Sequence, residues 1–234
     1  MEIMQTYELT KVYGRAEARV EALKSANLTI NKGEFVAIVG PSGSGKSTLL
    51  HLMAGLLNPT SGGVLIEGKN IYNLSENDLS IFRRRKIGFI FQFFNLLPML
   101  SLEENVILPA LLDNKKVDME YLDELLKVLG LTDRRRHLPG ALSGGQQQRA
   151  AIARALFTKP SIVFADEPTG NLDSKSSKEV LELMTMSIKK YNQTLVLITH
   201  DMNVAKHADR ILRIDDGIVS EHVTSITAEG RDIG

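Results

Sequence analysis

Apolar runs alternate with helical patterns along most of the chain, and this order predicts an α/β fold. Short runs of consecutive apolar residues, the pattern of strands buried on both faces, occur at 35–39, 86–92, 161–165 and 194–199. Apolar residues at helical spacing follow the first run over 46–57, and a further helix is expected at 174–190. These elements predict a mostly parallel core sheet flanked by helices.

Shorter strands are expected on either side of this core. Segments 2–9 and 19–30 predict two strands joined by a turn through Gly14, in an N-terminal antiparallel subdomain. A loop at 58–63 precedes a short strand at 64–66. Near the C-terminus, 210–214 and 217–223 predict a hairpin that turns at Asp215-Asp216-Gly217, and the polar tail after Val223 is expected to be frayed.

Between the second and third apolar runs the sequence changes to helices and loops. Helices are predicted at 102–112, 119–129 and 144–157. We interpret 93–157 as a helical lobe inserted into a core formed by 1–92 and 158–234. The whole chain, 1–234, is then a single domain.

Composition narrows the class of protein and its compartment. The 234 residues suffice for a full α/β core, and the 28 basic and 28 acidic residues leave no net charge to attract nucleic acid. No nucleic-acid partner is therefore expected. Without cysteine, disulfides and thiolate metal sites are ruled out, which fits a reducing compartment. No secretory signal is visible, and apolar stretches such as 106–112 are too short to span a bilayer. We expect a cytosolic protein that reaches a membrane only through a partner.

The loop after the first buried strand carries the most specific chemistry. It matches the phosphate-binding pattern G-x-x-x-x-G-K-[ST] with Gly40, Pro41, Ser42, Gly43, Ser44, Gly45, Lys46, Ser47 and Thr48. Its glycines let backbone N–H groups surround an anion, and the following helix adds the positive end of its dipole. Lys46 can neutralise the β- and γ-phosphates, and the Ser47 hydroxyl can ligate Mg²⁺. A Gly-Ser turn with an incidental lysine is the alternative, and the flanking strand and helix argue against it.

Polar residues follow the other three buried strands, at the edge where a doubly wound sheet binds ligands. They are Gln92, Asp166 with Glu167, and His200. Asp166 can hold Mg²⁺ opposite Ser47, and Glu167 suits a general base for an attacking water, unless both carboxylates cap the following helix. His200 can donate a hydrogen bond to the γ-phosphate, although a lone histidine is more often structural or solvent-facing. Structural roles are assigned to the histidines without such context, His51, His137, His207 and His222.

A second anion site is expected at Leu142-Ser143-Gly144-Gly145-Gln146, which precedes a long helical pattern. Ser143 is placed as the N-cap, and the two glycines let a phosphate reach the first free N–H groups of the helix. Two phosphate-binding loops on different lobes make sense if a second copy of the chain completes each site.

These residues resemble the motifs of the ATP-binding-cassette (ABC) ATPases, and the resemblance covers essentially the whole chain. Residues 142–146 resemble the family's signature, and 40–48 and 162–166 resemble its Walker A and Walker B motifs. The resemblance implies further roles at the nucleotide: Glu167 as catalytic glutamate, His200 as switch histidine, and Gln92 as the Q-loop glutamine, a catalytic residue and metal ligand. It also places Asp173 in the D-loop with Asn171 and Leu172, and makes Tyr13 the ring that stacks on adenine. A packed strand-end tyrosine is the alternative for Tyr13.

The family implies ATP and Mg²⁺ as cofactors and a head-to-tail dimer, in which Ser143 to Gln146 of one copy meet the γ-phosphate held by the other. Segments 83–98 and 104–109 look like those of the MacB, LolD and BceA-type cassettes, which work with permease subunits. In such cassettes the permease docks just after the Q-loop, here near Phe93–Leu100. The alternative is that these apolar side chains pack the helical lobe.

We therefore expect the ATPase subunit of a membrane ABC transporter, located on the inner face of the cell membrane through its permease. One alternative is the cassette of a non-transporting mechanotransmission or sensory complex, whose chemistry would be the same. The other is a soluble ABC ATPase acting on nucleic acid or ribosomes. The short separation of Lys46 from Asp166, with no heptad run, and the presence of one cassette argue against the latter.

Overall fold

The computed structural model describes residues 1–14 and 16–222, and this part of the chain contains ten strands and seven α-helices. In chain order they are β1 (Glu2–Tyr13), β2 (Val20–Asn31), β3 (Phe35–Val39), α1 (Lys46–Met53), β4 (Ser61–Ile66), β5 (Lys69–Asn70), α2 (Glu76–Lys86), β6 (Ile87–Ile90), α3 (Leu102–Leu111), α4 (Met119–Val128), α5 (Gly144–Phe157), β7 (Ile162–Asp166), α6 (Ser174–Lys190), β8 (Thr194–Ile198), α7 (Met202–Ala205), β9 (Arg210–Asp215) and β10 (Ile218–His222). The tail expected to be frayed lies outside the described residues, as does the side chain of His222.

The larger sheet has the strand order β10-β9-β3-β8-β7-β6. Its strands are parallel except for β10, which pairs with β9 in antiparallel fashion. Ile198 of β8 is in register with both Ile38 of β3 and Asp166 of β7. The carboxyl ends of the three central strands are therefore level, and the segments that follow them start at one edge of the sheet.

The smaller sheet is antiparallel, with the order β2-β1-β4-β5. β1 and β2 each contain 12 residues and are paired with several register shifts. β1 extends beyond the predicted 2–9, whereas β2 lies within one residue of the predicted 19–30 at each end. β9 and β10 form the expected hairpin, whose turn residues Asp216 and Gly217 both have positive φ. This geometry is the type I′ turn favoured by an Asp-Gly pair.

Alternate side chains of the central strands face two different hydrophobic layers. Ile162 and Phe164 belong to a buried cluster shared with α1 and the smaller sheet. Val163 and Ala165 belong to a second cluster shared with α3, α4, α5 and α6. The larger sheet is thus the middle layer of the molecule, which confirms the α/β class, the antiparallel N-terminal sheet and the helices between the second and third buried strands.

Several predicted element bounds were wrong by a few residues. α1 ends at Met53 rather than at residue 57, because Gly55 adopts a positive φ and the N–H of Leu56 bonds the carbonyl of His51, which closes the helix. Lys86 ends α2 instead of starting the next strand, and Ser61 to Gly63 belong to β4 instead of a loop.

Candidate functional site

The phosphate-binding loop lies between the two sheets. Gly40 and Gly45 have φ values of +155° and +107°. A Cβ atom at Gly40 would collide with the carbonyl oxygen of Ile214 in β9, and one at Gly45 with that of Ala22 in β2. Both positions therefore require glycine, and the loop is fixed by a strand from each sheet.

Lys46 is the first residue of α1 and its side chain is almost completely buried. Its Nζ donates hydrogen bonds to the carbonyl oxygens of Gly40, at 3.0 Å, and Pro41, at 2.7 Å. The ammonium group thus lies inside the curve of the loop, where it can meet an anion bound by the loop N–H groups.

Ser47 and Asp166 meet at the edge of the sheet. Ser47 Oγ donates a hydrogen bond of 3.2 Å to Asp166 Oδ1. Burial raises the pKa of Asp166 above its usual value, while nearby His51 and the bond from Ser47 oppose this rise. A hydroxyl and a carboxylate are oxygen ligands that suit Mg²⁺. Within residues 1–14 and 16–222, no group of three or more His, Cys, Asp or Glu is arranged to hold a metal ion. An ion at this pair would take its other ligands from water and phosphate oxygens.

His51 approaches the same carboxylate, which the sequence analysis did not anticipate. Its Nε2 lies 3.6 Å from Asp166 Oδ2, and its ring packs near Phe89 with 5.7 Å between centroids. His51 follows Ser47 by four residues on α1, and that spacing places both side chains on one helix face. This periodicity is the sequence feature that would have identified it.

Glu167 and His200 form a second pair beside the first. His200 Nδ1 lies 3.5 Å from Glu167 Oε2, and the His200 side chain is 70% exposed. Glu167 has a positive φ of 42°, and its N–H donates to the carbonyl of Ile198. Neither Asp166 nor Glu167 caps the next helix, because Asp173 does so. The capping alternative is therefore wrong.

Gln92 lies against the segment that follows Glu167. Its side-chain amide faces Gly170, and its carbonyl oxygen accepts a 3.0 Å hydrogen bond from Asn171 Nδ2. In the described part of the chain, no hydrogen bond joins the Gln92 side chain to Ser47 or Asp166. The Asp173 carboxylate accepts hydrogen bonds from the N–H groups of Lys175 and Ser176. The Ser176 hydroxyl, together with these N–H groups, lowers the pKa of Asp173.

Tyr13 ends β1 and is paired with Val20 of β2. Its side chain is exposed, with the ammonium of Lys11 5.1 Å from the ring centroid. The ring is therefore not packed in the core as the alternative required. It stands on the strand pair whose Ala22 carbonyl touches the phosphate-binding loop.

Ser143 is the N-cap of α5, as predicted. Its Oγ accepts a hydrogen bond from the N–H of Gln146, and the Gln146 side chain accepts one from the N–H of Ser143. Gly144 lies close to Leu172 and Phe94, so the first turn of α5 adjoins the segment that contains Asp173. Across residues 1–14 and 16–222, no hydrogen bond or ion pair connects 143–146 with the loop at 40–48. Within one chain the two predicted anion sites are therefore separate.

The segment after Gln92 is partly packed and partly exposed. The largest exposed apolar side chains are those of Phe93, Leu97 and Met99, whereas Leu96 packs against the helical cluster. Arg154 of α5 donates hydrogen bonds to the carbonyls of Phe94 and Asn95, and burial lowers its pKa. The alternative that these apolar side chains pack the helical lobe therefore holds for Leu96 but not for Phe93, Leu97 and Met99. In the described residues, no helix is long and apolar enough to cross a membrane.

Comparison with known proteins gives consistent results. The family model described as ABC transporter matches residues 23–170. An uncharacterized ABC transporter ATP-binding protein of Methanocaldococcus jannaschii is 47% identical over 94% of this chain and 98% of that protein. The lipoprotein-releasing system ATP-binding protein LolD of Geobacter metallireducens is 48% identical over 93% and 97%. The macrolide export ATP-binding/permease protein MacB of Bdellovibrio bacteriovorus is 44% identical, over 90% of this chain but 32% of that longer protein.

Among solved structures, the ATP-binding cassette MJ0796 is similar to this chain. In a dimeric post-hydrolysis state bound to ADP and Pi, it matches with a TM-score of 0.83 and 42% identity, over 94% of this chain and 98% of its own.

Proposed function

The chain belongs to the ABC transporter family, and from this premise we propose that it is the ATP-hydrolysing subunit of a membrane transporter. Two copies would bind ATP with Mg²⁺, close on each other and drive a conformational change in a separate permease. The observation that carries the proposal is that two pairs of side chains meet at one edge of the larger sheet, Ser47 with Asp166 and Glu167 with His200. They lie where β7 and β8 end in register and where the phosphate-binding loop passes into α1.

These side chains would divide the chemistry of hydrolysis. Lys46 and the loop N–H groups would hold the β- and γ-phosphates, and Ser47 and Asp166, with Gln92, would hold the metal ion. When bound, Mg²⁺ neutralises charge on the phosphate oxygens. A water oxygen attacks the γ-phosphorus in line, the bond to the bridging oxygen breaks, and Glu167 accepts the proton of the water. His200 donates a hydrogen bond to the γ-phosphate, and Tyr13 stacks on the adenine.

The second anion site gives the proposed dimer its function. Ser143 and the N-terminus of α5 would meet the γ-phosphate held by the other copy, with Asp173 nearby. Each helix-dipole contact of this kind contributes only about 0.3–2 kcal/mol. Closure therefore requires several contacts together, and hydrolysis of the γ-phosphate loosens them. The dimeric structures of the similar cassette MJ0796 support dimerisation.

We further propose that residues 93–157 act as a lobe on the core of 1–92 and 158–234, and that the permease docks near Phe93–Leu100 from the cytoplasmic side. Support comes from the exposed Phe93, Leu97 and Met99 and from a neighbouring cavity of about 330 Å³. The cavity is lined by apolar and basic side chains, among them Leu56, Phe89, Leu108, Leu112, Arg83 and Arg154. LolD and MacB are named for release and export systems, which favours transport over signalling.

Substitution of Glu167 tests the hydrolytic assignment. Glu167→Gln removes the proton acceptor while keeping the size of the side chain, so we expect it to bind ATP, form a stable dimer and release phosphate at least about 100-fold more slowly. Phosphate release and light scattering with MgATP measure both properties. Glu120→Gln, which makes the same change at an exposed glutamate on α4, is the matched control and should behave as the wild type. Unchanged steady-state phosphate release by Glu167→Gln would exclude Glu167 as the base.

A further inference from the structure

We infer that Thr199 is a positioning residue for His200, because its hydroxyl holds the backbone on both sides of that histidine in place. The inference rests on the proposed ATPase function, in which His200 acts beside Glu167 at the γ-phosphate. It assigns a role to the residue directly after β8, which no sequence motif distinguished.

Thr199 is anchored both to the strand of the phosphate-binding loop and to the far side of His200. Its N–H donates a 3.2 Å hydrogen bond to the carbonyl of Ile38, two residues before the loop begins at Gly40. Its Oγ1 accepts a 3.0 Å hydrogen bond from the N–H of Asp201. The second bond spans His200 and closes a local side-chain to backbone turn around it.

The His200 side chain depends on this backbone for its position. It is 70% exposed, whereas the Thr199 residue is 5% exposed. The 3.5 Å approach of His200 Nδ1 to Glu167 Oε2 is long for a hydrogen bond and does not fix the ring by itself. Asp201 continues the constraint, because its carboxylate accepts from the N–H of Asn203 and caps α7.

The hydroxyl, rather than the volume of the side chain, supplies the constraint. Thr199→Val keeps the branched shape but removes the acceptor of the Asp201 N–H, which frees the backbone at residue 200. Thr199→Ser keeps the acceptor. A displacement of a catalytic group by about 1 Å costs up to about 100-fold in rate.

The same strand provides a matched control at its other end. Thr194 is completely buried at the start of β8, and its Oγ1 accepts a 2.9 Å hydrogen bond from the N–H of Gly33. Thr194→Val therefore removes the same kind of bond from the same strand, but at the edge of the sheet opposite the nucleotide site. It measures the general effect of losing such a hydroxyl.

The test compares kcat and KM for ATP among these variants. We expect kcat of Thr199→Val to fall about 10- to 100-fold with KM within about twofold, and Thr199→Ser and Thr194→Val to stay within about threefold of the wild-type kcat. A Thr199→Val kcat within threefold of wild type, an equal loss in Thr199→Ser, or an equal loss in Thr194→Val overturns the inference.

Amide exchange followed by NMR gives a readout that does not depend on folding of the valine variant. In the wild type the Asp201 amide should exchange more slowly than the amide of the exposed His200, and in Thr199→Ser it should remain protected. Fast exchange of the Asp201 amide in the wild type overturns the inference.

Failure of the proposed function gives a different result. If the wild type releases no phosphate from ATP, the ATPase assignment fails; if Glu167→Gln releases it at the wild-type rate, the assignment of Glu167 as the base fails. If both behave as proposed while Thr199→Val keeps its kcat, only the role of Thr199 is wrong.

Discussion

Asp166 has a carboxyl group that is costly to ionise in the fold but that the proposed metal site requires in its ionised form. Burial raises the pKa of its carboxyl group, so the folded state holds this proton more tightly than the unfolded chain does. The resulting stabilisation is full below the unfolded pKa and is lost as pH rises through the folded pKa. At neutral pH the ionised carboxylate is therefore a cost to the fold, which the proposed metal ion would relieve.

Asp166→Asn should consequently separate the two properties. Without ligand, we expect a Tm equal to or above that of the wild type, because the buried charge is gone. In the wild type, the Tm with ATP and Mg²⁺ should be higher than the Tm with ATP and EDTA. In the variant, the Tm should be the same with ATP and Mg²⁺ as with ATP and EDTA. Thermal unfolding under these three conditions measures this difference. A variant that melts below the wild type without ligand would show that the carboxylate stabilises the fold.

At the scale of elements, Asn105 of α3 organises the turn that precedes its own helix. The side chain is fully buried, its Nδ2 donates to the carbonyls of Leu97 and Leu100, and its Oδ1 accepts a 2.7 Å bond from the N–H of Leu97. These bonds stabilise the turn that presents Leu97 and Met99. One buried amide thus shapes the proposed docking segment.

Asn105→Ala should destabilise the protein by about 2–4 kcal/mol, because it leaves partly buried backbone groups without partners and creates a cavity at a fully buried position. Denaturant unfolding measures the loss, and hydrogen exchange should increase at 97–101 specifically. Glu120→Ala, exposed on α4, should change stability by less than about 0.5 kcal/mol. Unchanged exchange at 97–101 would show that the turn holds its shape without Asn105.

The sequence was sufficient to predict elements whose pattern is long or whose ends are capped. α5 and α6 occupy the predicted ranges because Ser143 and Asp173 fix where they start. β5 and α7, with two and four residues, are too short to show a period. β1 extends beyond its predicted end at residue 9, and its pairing with β2 contains register shifts there, which break the alternation on which a strand prediction depends.

In the candidate site, too, some features follow from local sequence and others do not. Asp166, Glu167 and His200 were predictable because each directly follows a buried strand in the sequence. The approach of His51 to Asp166 and that of Gln92 to Gly170 arise from packing between elements far apart in the chain. Only the three-dimensional arrangement reveals such contacts.

At the scale of the whole molecule, Asp113 connects the helical segment to the core. The residue follows α3, and its carboxylate lies 3.4 Å from Arg84 and 2.9 Å from Arg85 at the end of α2, and 3.1 Å from Lys115. Its side chain is 3% exposed. The Arg85 guanidinium, assisted by Lys115, lowers the pKa of Asp113 to about 2. Since the folded pKa is depressed, this stabilisation is present above the unfolded pKa of 3.8 and is lost as pH falls through about 2.

Asp113→Asn should therefore be less stable than the wild type at pH 7, with a difference that shrinks below pH 3.8 and vanishes below about 2. Urea unfolding across this pH range measures the difference. Asp133→Asn, at an exposed position, is the control and should show no such convergence. A constant difference between Asp113→Asn and the wild type at all pH values would mean that the charge contributes nothing.

The proposed dimer is testable by complementation between two inactive chains. Ser143→Arg keeps the phosphate-binding loop but blocks the signature, so it should bind ATP and not hydrolyse it, and Lys46→Ala should have the opposite defect. An equal mixture should recover up to about a quarter of the wild-type rate, because half of the dimers are mixed and each has one complete site. Phosphate release by the mixture measures this recovery. Full activity of Ser143→Arg alone would show that one chain holds a complete site.

The two carbonyl contacts of Lys46 have a consequence for which ligands can enter the loop. Because the ammonium already has partners, nucleotide binding would be an exchange in which phosphate oxygens replace the carbonyls of Gly40 and Pro41. A neutral competitor gains little from such an exchange, whereas a ligand with several negative charges gains the difference between an ion pair and an ion-dipole contact. Adenosine would leave the lysine where it is, and a di- or triphosphate would displace the carbonyls. The loop thus discriminates among ligands by their charge before the metal ion or the second copy contributes.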